Sequence, residues 1–330
     1  MNEREGGGAA PEPRAEGFLH VPVLSGAARE WLAPALIGGG PLVDCTLGAG
    51  GHSEAFLREV PDLVVIGIDR DGQALAAAAA RLKHFGERVR LVKANFADID
   101  SVVEEEGYEQ VAAVLYDLGV SSPQLDRADR GFGYRRGFAL DMRMDQDQDL
   151  TARDIVNTYS ESRLADILFR YGDERFSRRI ARSIVQRREK KPFEDAGDLA
   201  EVVRAAIPAA TRRTGPHPAR RTFQALRIET NRELESLELS LDRALELLRP
   251  GGRVAVISYH SLEDRIVKSK FREAAQGCTC PKDFPVCVCG RKPQLRILTS
   301  RPVRPSEAES EANPRSDSAR MRVAEKLEAA

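Results

Sequence analysis

Short apolar segments alternate with helix-length segments over the first 120 residues, and this alternation constrains the fold more than any other feature of the sequence. Four apolar runs end in polar or glycine-rich turns: PLVDCTL (41–47), LVVIGID (63–69), VRLVKANF (89–96) and VAAVLYDLG (111–119). Helix-forming stretches lie between them, such as the alanine-rich segment 72–84. Alternating strands and helices predict a parallel sheet covered by helices on both faces. We therefore expect a doubly wound, Rossmann-like α/β fold.

The alternation stops near residue 126 and resumes near residue 229. Between these points the sequence predicts helices but no convincing strand, whereas a helix at 230–248 and an apolar run at 253–261 follow. An insertion leaving and re-entering the sheet near the carboxyl ends of the strands explains this break, and open α/β sheets bind ligands there. The predicted organisation is a disordered tail (1–17), a sheet domain (18–125 and 229–305), an inserted helical domain (126–228) and a C-terminal tail (306–330) with an ordered stretch near Arg320–Ala324.

Composition and charge exclude several classes of protein. The chain has 330 residues, is 42% hydrophobic and carries a net charge of −1. No apolar run approaches the roughly 18 residues that a membrane span requires, and the first residues lack the apolar core of a signal peptide. We therefore expect a soluble, cytoplasmic protein. The near-neutral total conceals a basic segment at 170–191, which indicates a local positive face.

A glycine-rich turn, Gly48–His52, follows the first predicted strand. Glycines let a backbone turn sharply and approach a ligand. Asp69 ends the second strand about 20 residues later, the position at which an acidic residue binds two ribose hydroxyls, and Phe96 after the third strand is placed to stack on adenine. A dinucleotide fingerprint requires Gly or Ala at the position of Ser53. The pattern therefore favours S-adenosylmethionine, which has no phosphate, and leaves a dinucleotide-dependent oxidoreductase as the alternative.

Seven motifs follow one another along the chain: Gly48–Ser53, Asp117–Asp126, Arg130–Phe132, Leu140–Asp145, Tyr171–Phe176, Arg221–Ile228 and Ser258–Arg265. Together they resemble the bacterial small-subunit rRNA cytosine-N4 methyltransferases, the RsmH or MraW family. The resemblance runs from about His20 to Glu325. It leaves out the N-terminal tail and a four-cysteine segment.

This resemblance implies a class I S-adenosylmethionine-dependent methyltransferase fold with an inserted helical substrate-recognition domain. It implies that the cofactor contacts Gly50, Gly51, His52, Asp69, Phe96, Asp117 and Gln124. The implied reaction methylates N4 of one cytidine in the decoding region (P site) of 16S rRNA within the small ribosomal subunit, and so contributes to ribosome maturation and decoding fidelity. Methylation of another RNA or DNA amine is the alternative, and a homodimer stays open.

The reaction requires help from the protein because the lone pair of the cytosine amine is delocalised into the ring. An enzyme can accept hydrogen bonds from the amine and align it with the methyl group. Asp117 and the loop Ser121–Gln124 follow the fourth strand, where many amino-methyltransferases place such acceptors, and His260 follows the fifth strand. We predict Asp117 and His260 as catalytic residues. Whether Asp117 serves the base or the amine of the cofactor stays open.

Three arginines of the basic segment, Arg178, Arg179 and Arg182, fall on one face of a predicted helix. Such a face is often only solvated. With an rRNA substrate, we predict that these side chains neutralise phosphates and supply salt-dependent affinity.

Cysteine usage indicates neither a disulfide framework nor a thiol nucleophile. Cys45 lies in the first predicted strand and is interpreted as a small buried hydrophobe, whereas C5 methylation of cytosine requires a cysteine beside the base. Cys278, Cys280, Cys287 and Cys289 are spaced more tightly than most zinc ligands. Four reduced thiols are the favoured interpretation, and no metal site is predicted, although a zinc module is the alternative.

Overall fold

A computed structural model describes residues 22–212, 217–277, 280 and 289–328. The strands are β1 (Leu42–Asp44), β2 (Val65–Asp69), β3 (Val89–Lys93), β4 (Val111–Asp117), β5 (Leu248–Ser258), β6 (Leu295–Ile297) and β7 (Arg320–Lys326). The helices are α1 (Ser25–Leu36), α2 (Gly51–Glu59), α3 (Gly72–Leu82), α4 (Ile99–Glu105), α5 (Ser122–Asp126), α6 (Ala152–Thr158), α7 (Glu161–Gly172), α8 (Ser177–Arg188), α9 (Ala196–Ala206), α10 (Ala209–Arg212), α11 (Arg220–Asn231), α12 (Glu233–Leu247), α13 (Ser261–Ala275) and α14 (Glu307–Ala312). None of the described helices has the length and apolar character needed to cross a bilayer.

The strands form one sheet in the order β3-β2-β1-β4-β5-β7-β6. Strands β1 to β5 are parallel, with Val43 of β1 opposite Ile66 on one side and Val114 on the other. Residues 111–116 of β4 are completely buried, as expected for a central strand with both faces covered. The predicted doubly wound, Rossmann-like sheet is confirmed.

The C-terminal segment is not the tail that we expected. Strand β7 lies between β5 and β6 and runs antiparallel to both, so the sheet is mixed and Arg320–Lys326 belong to it. Charged residues alternate with small or apolar ones in β7, which resembles a solvated segment in sequence. In the fold Met321 and Val323 are buried, and Arg322 pairs with Asp264 of α13 at 2.6 Å. Strand β6 is short and ends at Ile297.

A second hydrophobic core forms within the insertion, the part of the chain that connects β4 to β5. Its buried residues come from the loop after α5 and from helices α6 to α9 and α11, and include Leu140, Ile155, Leu168, Ile184 and Leu226. The helix predicted at 230–248 corresponds to α12, which starts three residues later than predicted. Helix α11 ends at Asn231 and α12 begins at Glu233, because Arg232 adopts a left-handed conformation with φ of 51°.

A buried ion pair attaches the start of this insertion to the sheet. Arg130 and Asp71 are only 2% and 3% exposed, and Arg130 Nη1 lies 2.8 Å from Asp71 Oδ2. The second amino group of Arg130 donates to the carbonyl oxygen of Met144, whose own N–H donates to Asn231 Oδ1. The two ends of the insertion therefore hold the same loop, and that loop contributes to the wall of a cavity.

Candidate active site

A cavity of about 970 Å³ lies at the carboxyl ends of the parallel strands, between the sheet and the insertion. The turns after β1 to β5 form its floor, and Phe132, Tyr134, Met144 and Phe223 of the insertion contribute to its outer wall. Most of the predicted site residues line it: His52, Asp69, Phe96, Asp117, Gln124 and His260.

The glycines of the glycine-rich turn have two different roles. Gly48 lines the cavity with φ of +53°, and a Cβ there would meet only Thr46 O, at 3.9 Å, so the turn leaves room for a ligand. A Cβ on Gly50 would come within 2.9 Å of Leu82, and one on Gly51 within 2.6 Å of Pro22. Gly50 and Gly51 are therefore required for close packing. Although both were predicted to contact the cofactor, neither lines the cavity.

Asp69 connects the end of β2 to the glycine-rich turn. Its Oδ2 accepts a hydrogen bond from Gly48 N–H at 2.8 Å, and its Oδ1 accepts one from Asp71 N–H at 2.9 Å. Burial raises the pKa of the Asp69 carboxyl to about 6, although these two hydrogen bonds act in the opposite direction. Asp69 is thus charged at neutral pH and retains lone pairs that face the cavity, as a group that binds ribose hydroxyls requires.

A hydrogen-bonded chain of three side chains crosses the cavity floor. Asp117 Oδ1 accepts from Tyr259 Oη at 2.8 Å, and Asp117 Oδ2 lies 3.3 Å from His52 Nε2. Burial alone would lower the pKa of His52, but the hydrogen bond and charge of Asp117, together with the charge of Asp44, raise it. His52 Nδ1 is buried and has no hydrogen-bond partner among the described residues. These hydrogen bonds therefore hold the Asp117 carboxylate in place and leave His52 Nδ1 for a ligand.

Phe96 and Gln124 both border the cavity, but they differ in the contacts that their side chains already make. Phe96 packs its ring edge-to-face on Tyr116, with ring centroids 5.9 Å apart. The side chain of Gln124 is already engaged, because its oxygen accepts from Ser121 N–H at 3.0 Å and its amide donates to Asp71 at 2.9 Å. Gln124 thereby holds the loop 121–124 in place.

These residues fit S-adenosylmethionine better than a dinucleotide. The cavity offers a carboxylate for ribose, an aromatic ring for adenine and the unpaired Nδ1 of His52 for the methionine part. Ser53 stands where a dinucleotide motif needs Gly or Ala. Its Oγ donates a hydrogen bond to buried Asp44 at 2.7 Å. That hydroxyl supports the turn internally and is not available to a phosphate.

An ionic cluster lies beside His260 in the cavity lining. Arg227 of α11 makes two hydrogen bonds of 2.8 Å to Glu233. Glu263 accepts from the N–H groups of Tyr259 and His260. Burial alone would raise the pKa of Glu263, but His260 and Arg227 outweigh it and lower it. Sequence reasoning missed Tyr259, Arg227 and Glu233, although Tyr259 and Arg227 lie within the motifs Ser258–Arg265 and Arg221–Ile228.

The three predicted RNA-binding arginines lie apart from the cavity. Arg178, Arg179 and Arg182 are exposed on α8 and surround a shallow depression with Ser183. Arg182 lies 3.5 Å from Glu161 across the surface. The structure thus places these cations on one solvent-facing surface, as the helical spacing predicts.

Cys45 directly follows β1 and borders the cavity. It is only 1% exposed, and burial raises the pKa of its thiol well above the ordinary value. A thiol held neutral is a poor nucleophile. Cys280 is a free thiol, while Cys278 and Cys287 lie outside the described residues, so the zinc alternative stays open.

Comparison with known proteins gives a consistent family. A model of the MraW methylase family matches residues 17–327. The chain is 50% identical to Ribosomal RNA small subunit methyltransferase H of Brevibacillus brevis, over 94% of this chain and 98% of that protein. It is 53% identical to the protein of the same name from Carboxydothermus hydrogenoformans, with the same coverage. A solved rRNA methylase from Streptococcus thermophilus aligns with a TM-score of 0.41 and 13% identity, over 92% of this chain and 95% of that one.

The extent and identity of these matches confirm the resemblance seen in the seven motifs, and the cofactor predicted from the glycine-rich turn agrees with them. The chain therefore belongs to the MraW methylase family and is an S-adenosylmethionine-dependent methyltransferase.

Proposed function

We propose that this enzyme methylates N4 of a cytidine in the decoding region (P site) of 16S rRNA, on the small ribosomal subunit in the cytoplasm. Its relatives in Brevibacillus brevis and Carboxydothermus hydrogenoformans carry the name of small-subunit rRNA methyltransferases. The observation that carries the proposal is the cavity itself. It joins Asp69 and Phe96, which suit the cofactor, to Asp117 and to an insertion that bears exposed cations and aromatic rings.

The cofactor end of the cavity positions the donor group. We assign Asp69 to the ribose hydroxyls, Phe96 to adenine, and the turn containing Gly50, Gly51 and His52 to the methionine part. Gln124 acts by holding the loop 121–124. Bound S-adenosylmethionine supplies an electrophilic methyl group carried on a sulfonium sulfur.

The cytosine enters the cavity beside Asp117. Asp117 accepts a hydrogen bond from the exocyclic amine and turns its nitrogen lone pair toward the methyl group. The nitrogen gains a methyl group and loses one proton, which Asp117 accepts. Tyr259 and His52 hold the Asp117 carboxylate in position through the contacts described above, and His260 lines the cavity beside them.

The insertion provides two kinds of RNA contact. Arg178, Arg179 and Arg182 neutralise phosphates on the surface of α8. Tyr134 lines the cavity, is 38% exposed, and stacks on His217 with ring centroids 4.3 Å apart. An exposed aromatic ring beside a cavity suits the stacking of an unpaired base.

Radiolabelled methyl transfer tests the proposal directly. Small subunits from a strain lacking this gene are incubated with the enzyme and labelled S-adenosylmethionine, and the nucleosides are then identified by mass spectrometry. We expect label in N4-methylcytidine from 16S rRNA. Label in another nucleoside, or none in subunits that lack the modification, would contradict the assignment.

A further inference from the structure

The ring of His260 is held in one orientation. His260 is the N-cap of α13, and its Nδ1 accepts from the backbone N–H of Glu263 at 3.4 Å. An acceptor nitrogen carries no proton, so the proton of the neutral imidazole resides on Nε2. The side chain is 10% exposed and lines the cavity.

The other ring nitrogen is a buried donor without an acceptor. Nε2 of His260 lies 3.1 Å from Glu263 Oε1, an electrostatic contact whose angle is too poor for a hydrogen bond, and it has no hydrogen-bond acceptor among the described groups. Buried polar groups in proteins are almost always hydrogen-bonded, and an exception requires an explanation. A ligand that presents an acceptor in this part of the cavity is such an explanation.

The neighbouring charges favour a neutral ligand atom over a metal ion. Glu233, His260 and Glu263 have ligand atoms within 4.8 Å of one another. However, Arg227 occupies both carboxylate oxygens of Glu233. The Oε2 atom of Glu263 accepts two backbone N–H groups. A cation would have to displace these bonds beside a buried guanidinium.

His260 lines the same cavity as Asp117. Tyr259 bonds to Asp117, which we have placed at the reacting amine. On cytosine the ring nitrogen N3 is the hydrogen-bond acceptor next to that amine. Uracil carries an N–H at the same position, so two donors would face each other.

We propose that His260 Nε2 donates a hydrogen bond to N3 of the target cytosine and so selects cytosine at the reacting position. The inference rests on the proposed function, because it assumes that a cytosine enters this cavity. It assigns His260 the reading of the base, while Asp117 accepts from the amine.

The test combines a protein variant with a substrate that lacks the acceptor. His260→Asn retains an N-cap acceptor and removes the imidazole donor. The substrates are small subunits reconstituted with 16S rRNA that carries either cytidine or 3-deazacytidine at the methylated position. In 3-deazacytidine a C–H group replaces N3, and kcat/KM for methyl transfer is measured for all four combinations. The exposed His84→Asn is the matched control and should behave as the unaltered enzyme.

We expect His260→Asn to lower kcat/KM about tenfold or more on cytidine, as the loss of one hydrogen bond predicts, with unchanged affinity for S-adenosylmethionine. The 3-deaza substrate should slow the unaltered enzyme, and His260→Asn should cause no further loss on it. Equal losses from His260→Asn on both substrates would overturn the inference, as would a loss of cofactor affinity. Failure of the unaltered enzyme to methylate the cytidine substrate would instead refute the proposed function.

Discussion

Asp69 combines a contact that supports the glycine-rich turn with a place in the cavity lining. It supports the glycine-rich turn through Gly48 N–H, and it presents a carboxylate to the cavity. Asp69→Asn keeps an oxygen acceptor but removes the charge that strengthens hydrogen bonds to ribose. We expect calorimetry to show affinity for S-adenosylmethionine falling by about tenfold, since a charge-assisted bond contributes roughly 1.5–3 kcal/mol. Unchanged affinity would mean that Asp69 serves the turn alone.

The same carboxyl should make cofactor binding depend on pH. Its pKa in the folded protein is raised to about 6, and ribose hydroxyls prefer the ionised form, so binding releases a proton. Affinity should therefore rise between about pH 5 and pH 7 and then level off. The control is Asp69→Asn, which has no proton to release at this position, and isothermal titrations of both proteins should show a weaker pH dependence for the variant. Equal slopes would assign the titration to another group, such as His52.

Asp117 and Cys45 distinguish direct amine attack from a covalent mechanism. We expect Asp117→Ala to lower methyl transfer by at least about 100-fold, because a positioned acceptor typically contributes that much. Cys45→Ala should retain most activity, since the buried thiol is neutral. Methyl transfer to small subunits measures both effects. A trapped adduct between the protein and RNA containing 5-fluorocytidine would contradict this mechanism.

Helix α8 separates its two faces cleanly, and this makes its role in RNA binding testable. Ile180, Ala181 and Ile184 are buried in the insertion core, whereas the three arginines are exposed on the other side. Replacing Arg178, Arg179 and Arg182 with Gln should weaken RNA binding and flatten its dependence on salt. The affinity for S-adenosylmethionine should not change. An unaltered salt slope would show that this face is only solvated.

The sequence predicted well those elements that are buried through a run of consecutive apolar residues. Strand β4 is an uninterrupted apolar run because both of its faces are covered. Strand β7 escaped this logic, because its Arg322 is buried through an ion pair with Asp264 and its pattern resembles a solvated segment. The division between α11 and α12 at Arg232 also left no glycine or proline signal.

The site was predictable only where a residue follows a predicted strand. Asp69, Phe96, Asp117 and His260 each lie at such a position, and all four line the cavity. The partners that orient them were not predictable, because Tyr259 meets Asp117 and Arg227 meets Glu233 only after folding. Pairings of this kind depend on three-dimensional proximity, which local patterns do not encode.

At the scale of the whole molecule, the segment 306–328 is required for the integrity of the sheet. Removing residues 306–330 would strip β5 and β6 of their shared neighbour and expose the core beneath Met321 and Val323. We expect thermal unfolding to lose cooperativity, or Tm to fall by at least about 10 °C. Removal of residues 1–17, which the sequence predicts to be disordered, is the control and should leave Tm nearly unchanged. Equal Tm values for both truncated chains would refute this view of β7.

The position of β7 between two strands that precede it in the chain also matters during synthesis. A ribosome releases β5 and β6 first, and β5 then presents a row of unpaired N–H and C=O groups along one edge until β7 emerges. Open edges of this kind pair readily with other chains. The nascent protein is therefore most prone to aggregation late in translation, when the parallel strands are complete and β7 has not yet been synthesised.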